Sequence, residues 1–515
     1  MKINLTKTLW LCAFMLSAGL MIAGCKKNET NYPQPQLTIE GSDTLDAKAG
    51  ETVNVMLNLN AGGGAKSIVV TKGGGFLKEI PLHGDASKFE YTTLPIEAGM
   101  EEGEIIEYGF ILVNNNNVDS EEVPLTIRVE TYDKITLGNA TLYNIAIPAD
   151  GIVASGSTVK LVKGRNYYLS QSLTFETDAH LTIEEGVHVY MNADAQFPVQ
   201  VDIQGQAQIA GTATAPVVFT SSKVLTGNDA SIGDWAAFRL TGSGNTSNNG
   251  SIKYLRLEYT GDRGLRLSNV GAATVIDFVQ VYKADGEGVM ITDGNANLKH
   301  IVATDCEGGS YRLGDKYAGF MQNIISVNSA YFDELDDFAI REDAAPVIAN
   351  LTVLGAGKDL DDDTHGIRIR ANAAPKIYNA IVAQFPRRGI RVVDNVKITD
   401  MNGAAVFAHS YVFDVPRDPY RDLATAFAGT FDASGAIATN PFNNNVTNRS
   451  GSTYTLLTIP GIGVADFVPD EEKTSTFNSS TINAFFHSAA YVGAVKNTAE
   501  DWTKGWVKNP DGTIR

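Results

Sequence analysis

The chain has 515 residues, 49 of them glycine, with 19% charged residues and a formal charge of −18. That balance excludes a nucleic-acid binder and disfavours contact with anionic membranes, so an acidic polymer would need a local basic patch or bridging cations. Only three cysteines are present, too few for a disulfide-stapled fold.

Lys2 and Lys7 precede an apolar run from Leu9 to Ile22 that ends in Ile22-Ala23-Gly24-Cys25. A basic start, a short apolar stretch and small residues before the cut make residues 1–24 a secretory signal. The cysteine right after the cut resembles a bacterial lipobox, so Cys25 is the expected lipidation site and the membrane is reached through that lipid. Cys12 leaves with the signal, Cys306 stands alone, and loss of two lysines takes the mature charge to −20. Residues 25–36, with Pro33 and Pro35, read as a tether.

From 37 to 130 short alternating strands such as Thr52-Val53-Asn54-Val55-Met56-Leu57-Asn58-Leu59 recur between glycine turns. About seven strands in this length predict an immunoglobulin-like β-sandwich without its disulfide, acting as a spacer, with carbohydrate binding the alternative role. From 131 to 395 the reading is a right-handed parallel β-helix whose first coils and N-terminal cap lie before Thr220. The register is clearest between Ser251 and Val393, where Ile252, Ile276, Leu298, Met321, Ile348 and Ile377 each open a similar line, 22 to 29 residues apart. A period in the twenties with β-branched strands signals stacked coils. Two positions later stand Tyr254, Phe278, His300, Asn323, Asn350 and Asn379. Coils lie about 4.8 Å apart, so these residues should form one vertical file, the aromatics stacking and the asparagines bonding side chain to side chain and to turn backbone. After Val393 the period decays, and 396–515 are expected to hold terminal coils and a C-terminal cap, with Phe485, Phe486, Trp502 and Trp506 lying across the last coil.

Several stretches resemble one group of Bacteroidota surface lipoproteins: Leu181-Thr182-Ile183-Glu184-Glu185-Gly186-Val187, Gly211 to Ser221, Gly233-Asp234-Trp235, Ile252 to Tyr259, and Tyr491-Val492-Gly493-Ala494 with Asp501 to Trp506. The resemblance implies a lipobox, an immunoglobulin-like module, a parallel β-helix of the pectate-lyase-like kind and the outer membrane, most simply the cell surface. It implies no activity. The chain departs from the group at Asp285-Gly286-Glu287-Gly288, where many members carry a longer acidic-aromatic turn.

The corner before each coil's glycine is acidic: Asp262, Asp285 and Glu287, Asp305 and Glu307, Asp336 and Asp337, Asp361 to Asp363. Stacked like charges need neutralising. Arginines a few positions later (Arg266, Arg312, Arg341, Arg368, Arg370, Arg391) would form a salt-bridge ladder. Alternatively Ca²⁺ would be held by Asp336, Asp337, Asp361, Asp362 and Asp363. Asp361-Asp362-Asp363-Thr364-His365-Gly366 superficially resembles the aspartate–histidine cluster of polygalacturonase-like glycosidases, and a lyase would use Arg368 or Arg391 as base, so Asp361, Asp362, His365 and Arg368 are the catalytic candidates. Against this, His365-Gly366-Ile367-Arg368 is the coil's copy of Arg263-Gly264-Leu265-Arg266. Candidate ligand-binding residues are Tyr311, Tyr317, Tyr331, Phe332, Arg368 and Arg391.

The sequence thus reads as a non-catalytic binding or adhesion module, for a polysaccharide. The alternatives are a lyase or hydrolase working between Asp336 and Arg391, and a scaffold that assembles with outer-membrane transport proteins.

Overall fold

The computed structural model describes residues 32–329, 336–360, 363–393, 405–416, 418–421, 446–447, 449–450, 453–454, 462 and 466–515. Cys25, Tyr331, Phe332, Asp361 and Asp362 lie outside the described residues.

The chain divides into two compact units, one ending at Arg128 and the other running from Val129 onward. The first holds the antiparallel strands β1 (Gln36–Ile39), β2 (Thr44–Lys48), β3 (Asn54–Asn60), β4 (Ala65–Lys72), β5 (Gly75–Pro81), β6 (Lys88–Thr92), β7 (Ile105–Asn114) and most of β8 (Val123–Glu130). They form two sheets, β1-β3-β6 and β2-β8-β7-β4-β5. Alternation in β3 buries Val55, Leu57 and Leu59 while their neighbours face out. The rings of Tyr91 in β6 and Phe110 in β7 meet edge-on at 5.1 Å, joining the two sheets. One short piece, Gly99–Glu104, belongs to the second unit rather than the first. There Glu102 forms a fully buried ion pair with Arg165 and also bonds Thr131, which ties the piece to the first coils.

The second unit is a right-handed parallel β-helix. Ile252, Ile276, Leu298, Met321, Ile348 and Ile377 are strand partners in successive coils, as the repeat predicts. In each of these coils one long strand, such as Gly250–Thr260 or Val275–Ala284, bends midway and serves two faces. An eleven-stranded sheet, including Arg263–Ser268, Glu287–Thr292, Tyr311–Gly314, Asp336–Ile340, His365–Ile369 and Arg388–Val392, makes the third face.

The bend is the predicted file. Tyr254, Phe278, His300, Asn323, Asn350 and Asn379 all have φ between 50° and 59°, the left-handed region that asparagine tolerates and aromatics seldom adopt. Tyr254, Phe278 and His300 compensate by stacking, with ring centroids 4.2 Å apart and planes within 7° of parallel. The asparagines differ from expectation. The Asn323 amide meets Nε2 of His300 at 3.0 Å, while Asn350 and Asn379 donate to the carbonyls of Tyr491 and Phe477.

Those bonds also correct the expected cap. Residues 466–515 do not lie across the last coil but run back along the side of the helix as a strap. Asn379 meets Phe477, Gln322 clasps the backbone of His487, Thr352 holds Ala494, Arg256 reaches the carbonyl of Trp506, and Gln280 clasps Lys508. Outward apolar residues of the second face (Val302, Ile325, Leu354, Ile381) and strap residues (Val492, Ala494, Val495, Trp506, Val507) form a second hydrophobic core outside the coils. Register puts the apolar Val302, Ile325 and Ile381 in one outward file with Arg256, Gln280 and Thr352, so the strap covers that file by apolar contact at some coils and by hydrogen bonds at others.

Candidate functional site

The third sheet is left uncovered by that strap core and carries the chemistry. Its strands alternate, so Leu265 and Leu267 point into the coil while Arg266 points out. Strand register places Asp202, Arg239, Arg266, Met290, Arg312, Ala339, Arg368 and Arg391 in one outward file. A neighbouring file pairs Arg263 with Glu287, and Asp336 with His365 and then Arg388.

Between each charged residue and the next apolar one stands a position that admits almost nothing. A Cβ on Gly264 would lie 2.3 Å from Cγ1 of Val281, and one on Gly366 would lie 2.5 Å from the Gly389 carbonyl. Glycine there lets the charged residue before it turn outward without opening the core. Asp337 occupies that inward position in its own coil. It is fully buried, accepts hydrogen bonds from Ser326, Asn328 (2.6 Å) and the Ser310 amide, and burial pushes its pKa up to about 6.

The outward carboxylates are shared among the arginines. Asp336 pairs with Arg368 at 2.6 Å, Glu287 with Arg312 at 3.2 Å and Arg263 at 3.4 Å, Glu342 with Arg341 at 3.0 Å, and Asp363 with Arg387 at 2.7 Å and Arg388 at 3.3 Å. Most of these side chains are 12–37% exposed, so each pair is worth roughly 1 kcal/mol or less. This is the expected ladder, but cations outnumber the carboxylates that pair with them. Arg266 and Arg370 have neither ion-pair nor hydrogen-bond partner among the described residues. Nε of Arg312 and Arg368 is buried without an acceptor. Burial holds Arg263 below the usual arginine pKa against the pull of Glu287, with Arg266, Arg312 and Arg239 adding to the depression. An acidic protein thus carries a locally electropositive face.

The catalytic candidates fare differently. His365 is 2% exposed, and burial together with Arg391, Arg388 and Arg368 drives its pKa down to about 3 against the pull of Asp363. Nη1 of Arg391 lies 3.4 Å from its Nε2, so that lone pair accepts a guanidinium proton and is not offered as a base. Arg368 is engaged with Asp336.

The expected Ca²⁺ set comes apart. Asp336 and Asp337 are consecutive, one facing Arg368 outside and the other the interior, and Asp363 is held by two arginines. Among the described residues no three His, Cys, Asp or Glu side chains gather as cation ligands. Like-charge crowding does persist at one point of the acidic corner, where burial and then Asp285 raise the pKa of Glu307.

Tyr311 and Tyr317 are corrected as sugar platforms. Both are fully buried in the coil core, donating to the carbonyls of Ile301 and Ile325 and of Ala296. Tyr311 stacks on Phe338 at 4.7 Å. Tyr311 sits at an inward position of the strand Tyr311–Gly314, and Tyr317 follows the turn after that strand. Arg239 and Arg263 escaped the sequence reading of this face. The signal was there: Phe238-Arg239-Leu240 repeats the apolar–Arg–apolar pattern of Leu265-Arg266-Leu267 and Ile367-Arg368-Ile369.

A family model described as a pectate-lyase-like β-helix domain matches residues 151–507. The chain belongs to that family. The matched span takes in the arginine face and the strap as far as Val507 of this pectate-lyase-like β-helix protein. Among solved structures, a pectate lyase from Pectobacterium carotovorum is similar at 11% identity, over 66% of this chain and 86% of that one, with a TM-score of 0.13. Fibronectin(III)-like modules from Clostridium thermocellum match at 12% identity, over 18% of this chain and 97% of theirs, with a TM-score of 0.15. No curated protein matches the chain.

Proposed function

We propose that this β-helix protein is a non-catalytic binding module for an acidic polysaccharide, which lies along the arginine file of the third face. The carrying observation is the run Arg239, Arg266, Arg312, Arg368 and Arg391 on one outward file of a chain whose formal charge is −18. Guanidinium groups bind carboxylates through two parallel hydrogen bonds, and cations placed along one file suit a polymer that runs along it. Non-catalytic action is favoured because the lone pair of His365 accepts from Arg391 and Arg368 holds a carboxylate. In this reading Cys25 carries the lipid, the protein is displayed at the outer membrane, and the first unit is a spacer. Transport proteins of that membrane are proposed partners.

Titration of the purified protein with polygalacturonate and with neutral dextran, beside an assay for unsaturated and reducing ends, tests the reading. We expect binding of the acidic polymer alone, weakened by salt, with no new chain ends. New chain ends from the wild type would replace the binding reading with a lyase or hydrolase.

A further inference from the structure

In a solenoid each coil touches only its neighbours, so opening can start at any junction and spread coil by coil. The strap changes that condition here. Six strand pairings join seven successive coils, from that of Gly250–Thr260 to that of Val406–Ala408. At every one of these junctions a strap residue, or two close in sequence, holds the coil on both sides.

The Phe477 ring stacks on Tyr378 at 4.4 Å and on His409 at 5.1 Å. Gly493 donates its amide to the Asn379 carbonyl, and the next amide, that of Ala494, goes to Oγ1 of Thr352. One coil further, Gln322 clasps both backbone groups of His487 while Asn350 donates to the nearby Tyr491 carbonyl. Phe485 meets the Phe320 ring and the Lys299 ammonium. Trp502 lies edge to face with His300 and with Phe278. At the last junction Lys508 is clasped by Gln280 and pairs with Glu258 at 3.0 Å, and Trp506 meets both Phe278 and Tyr254.

Parting two of these coils therefore breaks the strap across the junction as well as the strand ladder within it. The amides of Gln280 and Gln322 are buried beneath the strap, so lifting it from one coil also strips their partners. We infer that the strap is a clamp that makes these seven coils open as one unit instead of coil by coil. The bridges stop at the coil of Gly250–Thr260, so the coils that hold Thr158–Leu161 and His180–Ile183 open separately. The clamp lies on a different face from the arginine file and acts whatever that file binds.

Hydrogen exchange of the full chain, followed by mass spectrometry at rising urea below the unfolding transition, tests the clamp. The amides of His487, Gly493, Ala494 and Lys508 donate to acceptors on the coils, so strap peptides that contain them report its docking directly. They should share one opening free energy and one urea slope with Val275–Ala284, Phe320–Val327 and Lys376–Ala383, while Thr158–Leu161 and His180–Ile183 form a second class. In the double variant Gln280→Ala with Gln322→Ala, strap peptides should exchange at least about tenfold faster, because each lost clasp leaves backbone groups unpaired. The common opening of the seven coils should then split, the coil of Val406–Ala408 going first. Strap peptides that exchange ahead of the coils in the wild type would overturn the inference, as would protection graded from coil to coil. A single class that takes in the first coils, or a double variant whose seven coils still open together, would show stacking alone to be sufficient. If the double variant does not fold, the wild-type comparison of strap, clamped coils and first coils decides.

Discussion

Two outward faces of the same coils have opposite fates. The second face presents Val302, Ile325, Leu354 and Ile381, and the chain returns from more than a hundred residues away to cover it with Val492, Ala494 and Trp506. The third face presents arginines on strands in the same kind of parallel register, and the strap core takes in none of them. Backbone geometry is nearly common to both, so the outward side chains decide. Apolar side chains such as Val302, Ile325 and Ile381 gain by leaving water, and the polar members of the same file, Arg256, Gln280 and Thr352, find strap backbone to bond. A guanidinium file loses by desolvation unless carboxylates meet it, and here the carboxylates are too few.

The largest effects should come from unmaking the covered face. Trp506 is fully buried, meets the rings of Tyr254 and Phe278, and donates from Nε1 to the carbonyl of Trp502. Trp506→Ala should destabilise the β-helix by about 3–5 kcal/mol, read as a lowered urea midpoint. If the midpoint stays put, the strap is an accessory to the coils rather than part of their core.

On the uncovered face the sharper test is pH. His365 ordinarily titrates at 6.5 but takes a proton in the folded state only near pH 3. Its contribution to stability is therefore complete above pH 6.5 and is lost as pH falls from there toward 3, by on the order of a few kcal/mol. Stability of His365→Gln should fall less steeply over that interval than the wild type, by chemical denaturation at a series of pH values. Parallel slopes would mean that the arginines do not hold the proton off.

The smallest effect concerns the corner that bounds the covered face. Phe278 stacks between Tyr254 and His300, and Phe278→Leu should cost about 1 kcal/mol beyond its burial, measured as a shift in Tm. An unchanged Tm would show the stacked rings to be neighbours of convenience.

The legibility of the two faces differed for the same reason that their fates did. Ile252 and Ile276 fell into register from the sequence because each coil repeats the same local demand, an inward apolar strand and a left-handed corner. The arginine ladder was legible too, since Arg266, Arg368 and Arg391 sit at one position of that repeat. Asp337 was misread because it stands in the inward glycine position, which only the register reveals. Tyr311 was misread likewise, its hydroxyl satisfied by carbonyls of two other strands.

By itself, then, the sequence determined the coil, its period and the file at its corner, since these answer to neighbours one coil away and recur along the chain. Only the tertiary structure decided which faces are covered. The bond from Gln322 to the carbonyl of His487 spans 165 residues, and that from Arg256 to the carbonyl of Trp506 spans 250. Contacts at such separations leave no periodic trace, because the strap bonds each coil through different residues, Phe477 at Asn379, His487 at Gln322 and Trp506 at Arg256.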